Sequence, residues 1–269
     1  MVQSWRFKWA LAEICNFSNY SRHNQILHSS WKFWLALLLK LVPHLWPFQI
    51  QLHLKRGGMV SVNEFMTLYV YKEIFVDGCY DIPLSMSGDP LIVDVGANTG
   101  LFIIRMKQLY PRSHVFGYEP MPSNYTQLRR NLELSKCHDC QIFRRGVAGI
   151  ARKDKLFIHR SNIGGHSIHK SEAGGDDYIE IDLVDVYGML EPLSGMPCDL
   201  LKLDCEGAEY EIIKSISKEM AKKIKKIVFE ITPSLYDTNE VANHLVNIGY
   251  RVSRHQGLWL ADYQDTTQA

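Results

Sequence analysis

Residues 90–104 read PLIVDVGANTGLFII. A run of apolar, largely β-branched residues climbs to Asp94 and Gly96, passes through Ala97-Asn98-Thr99-Gly100, and turns at once into a helix-like apolar pattern. This is the signature of a buried strand feeding a helix that opens near Thr99. Gly96 and Gly100 lack the Cβ atoms that would obstruct a sharp turn and a close ligand, and the helix start presents unpaired N–H groups. Asp94, at the strand end, is placed to orient the loop or to accept hydrogen bonds from a ligand.

Outward from this strand, apolar runs alternate with helix-like segments. Strands are expected at 91–96, 114–119, 141–145, 198–204, 226–232, 250–255 and near 258–261, with helices near 99–110, 122–135, 208–217 and 239–248. Strand alternating with helix predicts an α/β fold, a doubly wound Rossmann-like sheet that is mostly parallel and covered on both faces. Between Lys155 and Tyr187 the rhythm changes: KLFIHR, NIGGHSIH and YIEIDLVD read as extra strands and a glycine loop inserted before the fourth main strand.

In such a sheet ligands bind beyond the carboxyl ends of the strands, where strand order reverses. Glu119, in VFGYEP, ends the second strand 23 residues after Gly96, the spacing at which an acid holds the hydroxyls of an adenosine ribose. A nicotinamide enzyme would carry Gly-x-Gly-x-x-Gly, whereas Asn98 stands in this loop between Gly96 and Gly100, and no basic residue there awaits a pyrophosphate. A cofactor without phosphates, S-adenosylmethionine, suits the loop better. Its expected lining is Asp94, Gly96, Ala97, Asn98, Thr99, Gly100, Glu119 and Pro120, with Asp204 from a second constellation.

That constellation is CDLLKLDCEGAEYEII, residues 198–213. A buried strand delivers Lys202, Asp204 and Glu206 to its carboxyl end, and Gly207 permits the turn into a helix carrying Glu209. Charges at a buried strand end are costly unless paired or used. Glu206 and Glu209 would also favour a helix N-terminus, and Lys202 would neutralise Asp204. Glu230, closing IVFEI, points to the same edge.

The segments VDVGANTG, YEPMPSNYTQLRRNL, IGGHSI, IEIDLVDV, DLLKLDCEGAEYEII and IVFEI occur here in one order and spacing. In both, the chain resembles the FkbM family of S-adenosylmethionine-dependent methyltransferases over about residues 90–232. The resemblance implies a class I methyltransferase sheet with an antiparallel strand near the C-terminus. It implies that Gly96, Asn98 and Gly100 line the methionine and ribose side of the cofactor, that Glu119 holds the ribose, and that Asp204 faces the methyl-transfer centre. Members mostly methylate hydroxyl oxygens of sugars, lipids or small metabolites. Cys205 stands where a small aliphatic residue is usual, and IEIDLVDV lacks the threonine that commonly precedes the aspartate, here Asp182.

An alcohol acceptor must lose a proton, so a base is expected within reach. The candidates are Asp204, Glu206 and His166 of GGHSI; His159 and His169 read as surface residues. No ligand triad for a tightly held metal is visible, and Cys137-His-Asp-Cys140 lacks a second pair at zinc spacing. The competing reading is a catalytically silent methyltransferase-like adaptor acting at a membrane or protein surface.

The net charge of +1 hides an asymmetry: residues 1–60 hold seven Lys/Arg against the single acid Glu13, a net +6, leaving −5 for the rest. The net-acidic remainder argues against nucleic acid as the main partner, and the family resemblance implies a small-molecule, glycan or lipid acceptor. Five of the six tryptophans fall within the first 46 residues. WKFWLALLLKLVPHLWPFQI, residues 31–50, is interrupted by Lys40 and Pro43. Residues 1–60 therefore read as a basic, Trp-rich extension that packs on a domain at 61–269, lies on a membrane through Trp and Lys/Arg, or anchors in it. Six scattered cysteines in a chain of this size fit a reducing compartment, hence a cytoplasmic, membrane-associated location at most.

Overall fold

The computed structural model describes residues 2–41, 49–82, 89–159, 165–231 and 234–264. They form two compact units, each drawn from separate stretches of chain. The first comprises Met1–Asp81, Thr99–Leu109 and Gln127–His138; the second comprises Ile82–Asn98, Tyr110–Thr126 and Asp139–Ala269.

In the first unit the chain begins with α1 (Val2–Cys15), α2 (Phe17–Ile26) and α3 (Trp31–Lys40), followed by the antiparallel pair β1 (Ile50–His53) and β2 (Met59–Val62) and by α4 (Phe65–Tyr71). Asn16 starts α2 by accepting the Ser18 N–H at 3.2 Å. Aromatic side chains hold these helices together: Trp5 and Trp9 of α1 meet Phe65 and Tyr69 of α4, and Phe33 of α3 stacks on His23 of α2 at 3.9 Å. His23 is fully buried, with Nε2 2.9 Å from Glu13 Oε1. Lys40 ends α3 in a buried position. Pro43 lies outside the described residues, and residue 60, the boundary expected from composition, lies inside β2. No helix among the described residues is long and apolar enough to cross a membrane.

The chain continues through β3 (Leu91–Val95), α5 (Leu101–Leu109), β4 (His114–Tyr118), α6 (Pro122–Leu134), β5 (Cys140–Phe143), β6 (Gly146–Val147), β7 (Arg152–Phe157), α7 (Lys170–Ala173), β8 (Tyr178–Val184) and α8 (Val186–Leu190). Then come β9 (Leu200–Leu203), α9 (Glu209–Ser215), α10 (Lys218–Ala221), β10 (Lys226–Phe229), α11 (Thr238–Asn247), β11 (Tyr250–His255) and β12 (Leu258–Tyr263). Seven of these strands form one sheet in the order β11-β12-β10-β9-β3-β4-β5, parallel except for β12, which runs antiparallel to both its neighbours. The doubly wound, mostly parallel α/β sheet with one reversed strand near the C-terminus is thus present. Element ends fall close to the expected ones, except that Cys198 forms only a bridge to Ile224 and the strand proper begins at Leu200.

Every residue of β3 and of β9 is buried, which is why both read as near-continuous apolar runs. Leu91, Val93 and Val95 share a face with Leu201 and Leu203, packed against Val186, Met189, Ile212, Ile213, Val241 and Leu245. Burying each such aliphatic side chain fully stabilises the fold by about 1.5–3 kcal/mol. The inserted segment forms its own sheet, β6-β8-β7, over a small core of Ala148, Leu156, Ile181 and Leu183. Of the glycine segment, residues 160–164 lie outside the described part, and Ser167 bridges to Phe157.

Candidate active site

Strand order reverses at β3: β4 and β5 lie on one side of it, β9 and β10 on the other. Asp94 and Lys202 are register partners in the parallel pair β3–β9, and both side chains are buried. Lys202 Nζ lies 3.0 Å from Asp94 Oδ1, 3.3 Å from the Gly96 carbonyl and 3.3 Å from Asp204 Oδ2. Burial alone would lower the lysine pKa, but the two carboxylates outweigh it and raise it above the ordinary range. Asp94 is raised by burial against the pull of Lys202, and its Oδ2 is a buried acceptor without a hydrogen-bond partner.

Gly96 sits at φ 78°, and its N–H and that of Ala97 both donate to the Tyr118 carbonyl at 3.0 Å. A Cβ on Gly96 would stand 1.8 Å from the Asp204 backbone oxygen, so the ends of β3 and β9 touch where only glycine fits. Asn98 follows in a left-handed conformation, φ 47°, and its Oδ1 is a second buried acceptor without a partner. Its backbone N–H donates to Glu119 Oε2 at 2.8 Å, and the Met121 N–H donates to Glu119 Oε1 at 2.9 Å. Glu119 is 6% exposed, and burial pushes its carboxyl up to about 7 despite these two hydrogen bonds. Pro120 follows it directly, between the end of β4 and α6.

At the end of β9 the chain turns through Asp204, Cys205, Glu206 and Gly207. Glu209 is the staple of this turn: Oε1 accepts the Cys205 N–H at 2.7 Å, while Oε2 accepts the Gly207 N–H at 2.8 Å and the Tyr236 hydroxyl at 2.7 Å. Glu206 is left-handed at φ 55° and half-buried. Burial and the charges of Asp204, Glu209, Glu230 and Glu172 push it up to about 8. Cys205 packs against the main core, and burial raises its thiol well above the ordinary value.

The glycine segment reaches this turn through Ser167, whose hydroxyl donates to the Glu206 carbonyl and accepts the His169 N–H. His169 also stands against Gly207. Next to Ser167, His166 accepts the His159 N–H at Nδ1, 3.1 Å, and burial lowers its pKa. A neutral imidazole so held carries its proton on Nε2 and offers a donor there.

Within the second unit, then, the structure brings together Asp94, Gly96, Ala97, Asn98, Glu119, Lys202 and Asp204. Glu230, exposed, begins where its N–H donates to the Leu203 carbonyl. Thr99 and Gly100 belong to the first unit. There the Thr99 carbonyl accepts from Asn131 Nδ2 at 2.8 Å, and a Cβ on Gly100 would stand 2.4 Å from Leu128 Cδ1. Asp182 is exposed on β8. Sequence reasoning missed Ser167, Tyr236 and Asn131, which hold the loops from distant positions with no local pattern to announce them. Among the described residues no three His, Cys, Asp or Glu side chains converge as a metal site would require.

The Methyltransferase FkbM domain matches residues 94–252, from the buried aspartate of β3 into β11 and more than half of the chain. The chain belongs to the FkbM methyltransferase family. Among relatives of this FkbM enzyme, methyltransferase sdnD of Sordaria araneosa is 28% identical over 236 residues, spanning 77% of this chain and 91% of that protein. Methyltransferase 1 of Beauveria bassiana is 29% identical over 212 residues, 71% of this chain and 84% of that one. The 31-O-demethyl-FK506 methyltransferase FkbM of Streptomyces tacrolimicus is 34% identical over 82 residues, 30% of this chain and 32% of its own. The strand-end loops described above fall inside the FkbM domain.

Proposed function

We propose that this FkbM methyltransferase uses S-adenosylmethionine and transfers its methyl group to a hydroxyl oxygen of a sugar, lipid or small metabolite. The observation that carries the cofactor reading is the chemistry of the strand-end loops. Asp94, Glu119 and Asp204 are carboxylates, and two buried acceptors, Asp94 Oδ2 and Asn98 Oδ1, have no partner. A wall of acceptors and negative charge suits a cation rich in hydrogen-bond donors, namely a sulfonium, an ammonium and ribose hydroxyls, and repels a pyrophosphate. Bound there, the cofactor supplies an electrophilic methyl group on positively charged sulfur.

The chain's own residues take the other roles. Glu119, fixed by the Asn98 and Met121 N–H groups, keeps a second lone pair on each oxygen for the ribose hydroxyls. Lys202 holds Asp94 and Asp204 in place without entering the reaction. The acceptor hydroxyl gives its proton to a carboxylate of the 204–206 turn. Glu206, pushed up to about 8, takes it in its ionised form, so this role predicts turnover that rises as pH approaches that value, and His166 Nε2–H positions the acceptor. The relative named for 31-O-demethyl-FK506 supports an oxygen acceptor.

The test is a labelled-methyl screen over hydroxylated sugars, lipids and small metabolites with the full chain, alongside calorimetric titration with S-adenosylmethionine. Binding together with label on an oxygen is the expected result. Binding without transfer to any acceptor would favour the silent adaptor, and absence of binding would remove the cofactor assignment.

A further inference from the structure

Two helices of the first unit leave an apolar stripe in solvent. On α1 it is Phe7, Leu11 and Ile14, exposed by 52%, 62% and 46%; on α3 it is Trp31, Leu35 and Leu38, exposed by 60%, 39% and 67%. Both triplets stand at i, i+4 and i+7, the spacing that puts three side chains on one helix face. In both, a lysine, Lys8 or Lys32, follows the aromatic residue directly. The stripes are not surplus core, since each helix packs inward through other residues: Trp5 and Trp9 on Phe65 and Tyr69, and Phe33 and Trp34 around His23.

We infer that these stripes form a docking face for an anionic lipid surface, with Phe7, Leu11, Ile14, Trp31, Leu35 and Leu38 entering the headgroup layer and Lys8 and Lys32 meeting its phosphates. Three observations choose this occupant. The only acid among residues 1–60, Glu13, is 3% exposed and bound to His23, so this region shows no carboxylate to solvent, while of its seven Lys/Arg all but Lys40 reach it. A second copy of the chain would set Lys8 and Lys32 against like charge, whereas acidic headgroups complement them. The helices have 14 and 10 residues, about 21 and 15 Å long, too short to span a bilayer and suited to lying in its surface. The aromatic residue beside a lysine is the pairing that settles at the headgroup level.

Full-length protein mixed with vesicles of phosphatidylcholine containing about one third phosphatidylserine should float with them, fail to float with phosphatidylcholine alone, and detach in about 0.5 M salt. Leu11→Ser combined with Leu38→Ser, and separately Lys8→Glu combined with Lys32→Glu, should each cut partition about tenfold or more while leaving the melting curve in place. Vesicle binding should shift the Trp31 emission to the blue, a shift absent from Trp31→Phe. The inference fails if wild type ignores the acidic vesicles or if both double variants float as well as wild type. It fails equally if sedimentation shows a dimer that Leu11→Ser with Leu38→Ser dissolves, which would assign the face to a second copy. None of these readouts depends on cofactor binding or methyl transfer.

Discussion

At position 96 a methyl group has nowhere to go, because the Asp204 carbonyl occupies the volume a Cβ would need. Gly96→Ala should therefore destabilise the protein by at least about 2 kcal/mol in denaturant melts, and Gly96→Val more, through displacement of the 204–205 backbone as well as the positive φ. Glu119 acts by its charge and its two fixed oxygens. Glu119→Ala should weaken S-adenosylmethionine by about 1.5–3 kcal/mol in calorimetry, the range for a hydrogen bond to a charged group, and unchanged affinity would remove the ribose assignment. Both residues were legible because a strand ending in Asp-Val-Gly and an acid one strand later are local patterns. Lys202 was harder: the sequence pairs it with Asp204, two residues away, whereas its shortest contact is Asp94, 108 residues back. Strand register, which brings 94 and 202 side by side, is not written in either strand's own sequence.

The turn between β9 and α9 is a two-glutamate structure in which one residue ties down the backbone and the other is the proton acceptor proposed above. Glu209 satisfies two backbone N–H groups and the Tyr236 hydroxyl, while Glu206 is held in a left-handed conformation with its backbone anchored by Ser167. Ser167→Ala should slow turnover by about tenfold while S-adenosylmethionine affinity stays near wild type, since the lost contact positions Glu206 and not the cofactor loop. Equal loss of affinity would mean that the turn and the cofactor loop move together. The helix-favouring reading of Glu209 was available from its place near a helix start. The 167–206 and 209–236 contacts were not, because a serine or tyrosine in a loop gives no period to read and its partner is chosen by tertiary folding. The inserted sheet was legible as alternating strands, but its bidentate clamp from Arg152 to Glu211, 3.0 Å at both oxygens, joins residues that no motif connects.

For the whole molecule, composition marked the N-terminal sixty residues as different without saying how they are built. Their tryptophans divide by environment: Trp9 and Trp34 pack among other rings, whereas Trp31 faces solvent. Periodicity alone cannot separate the two sets, because α1 and α3 are apolar on more than one face. The first unit also gathers pieces from three parts of the chain, so residues 1–60 are not a detachable appendage. A chain starting at Met59 would leave β2 without β1 and uncover Phe65 and Tyr71, both now buried. It should melt about 10 °C or more below the full chain and bind a hydrophobic dye.

The carboxyl of Glu119 has a consequence in proton traffic. Burial places its pKa at about 7, so near neutral pH roughly half the folded molecules carry a proton there that the unfolded chain, titrating near 4.5, has already lost. Its contribution to stability is therefore complete below about 4.5 and is lost as pH rises toward 7, and Glu119→Gln should flatten that part of the stability profile. If, as proposed, ribose hydroxyls donate to the ionised form, loading S-adenosylmethionine should expel the proton. Titrations at pH 6.5 in buffers of different ionisation enthalpy should give binding heats that differ in proportion, and Glu119→Gln should give one heat in all of them. The same side chain that ties down the loop would thereby make the protein take up its cofactor more readily in mildly alkaline surroundings than in mildly acid ones.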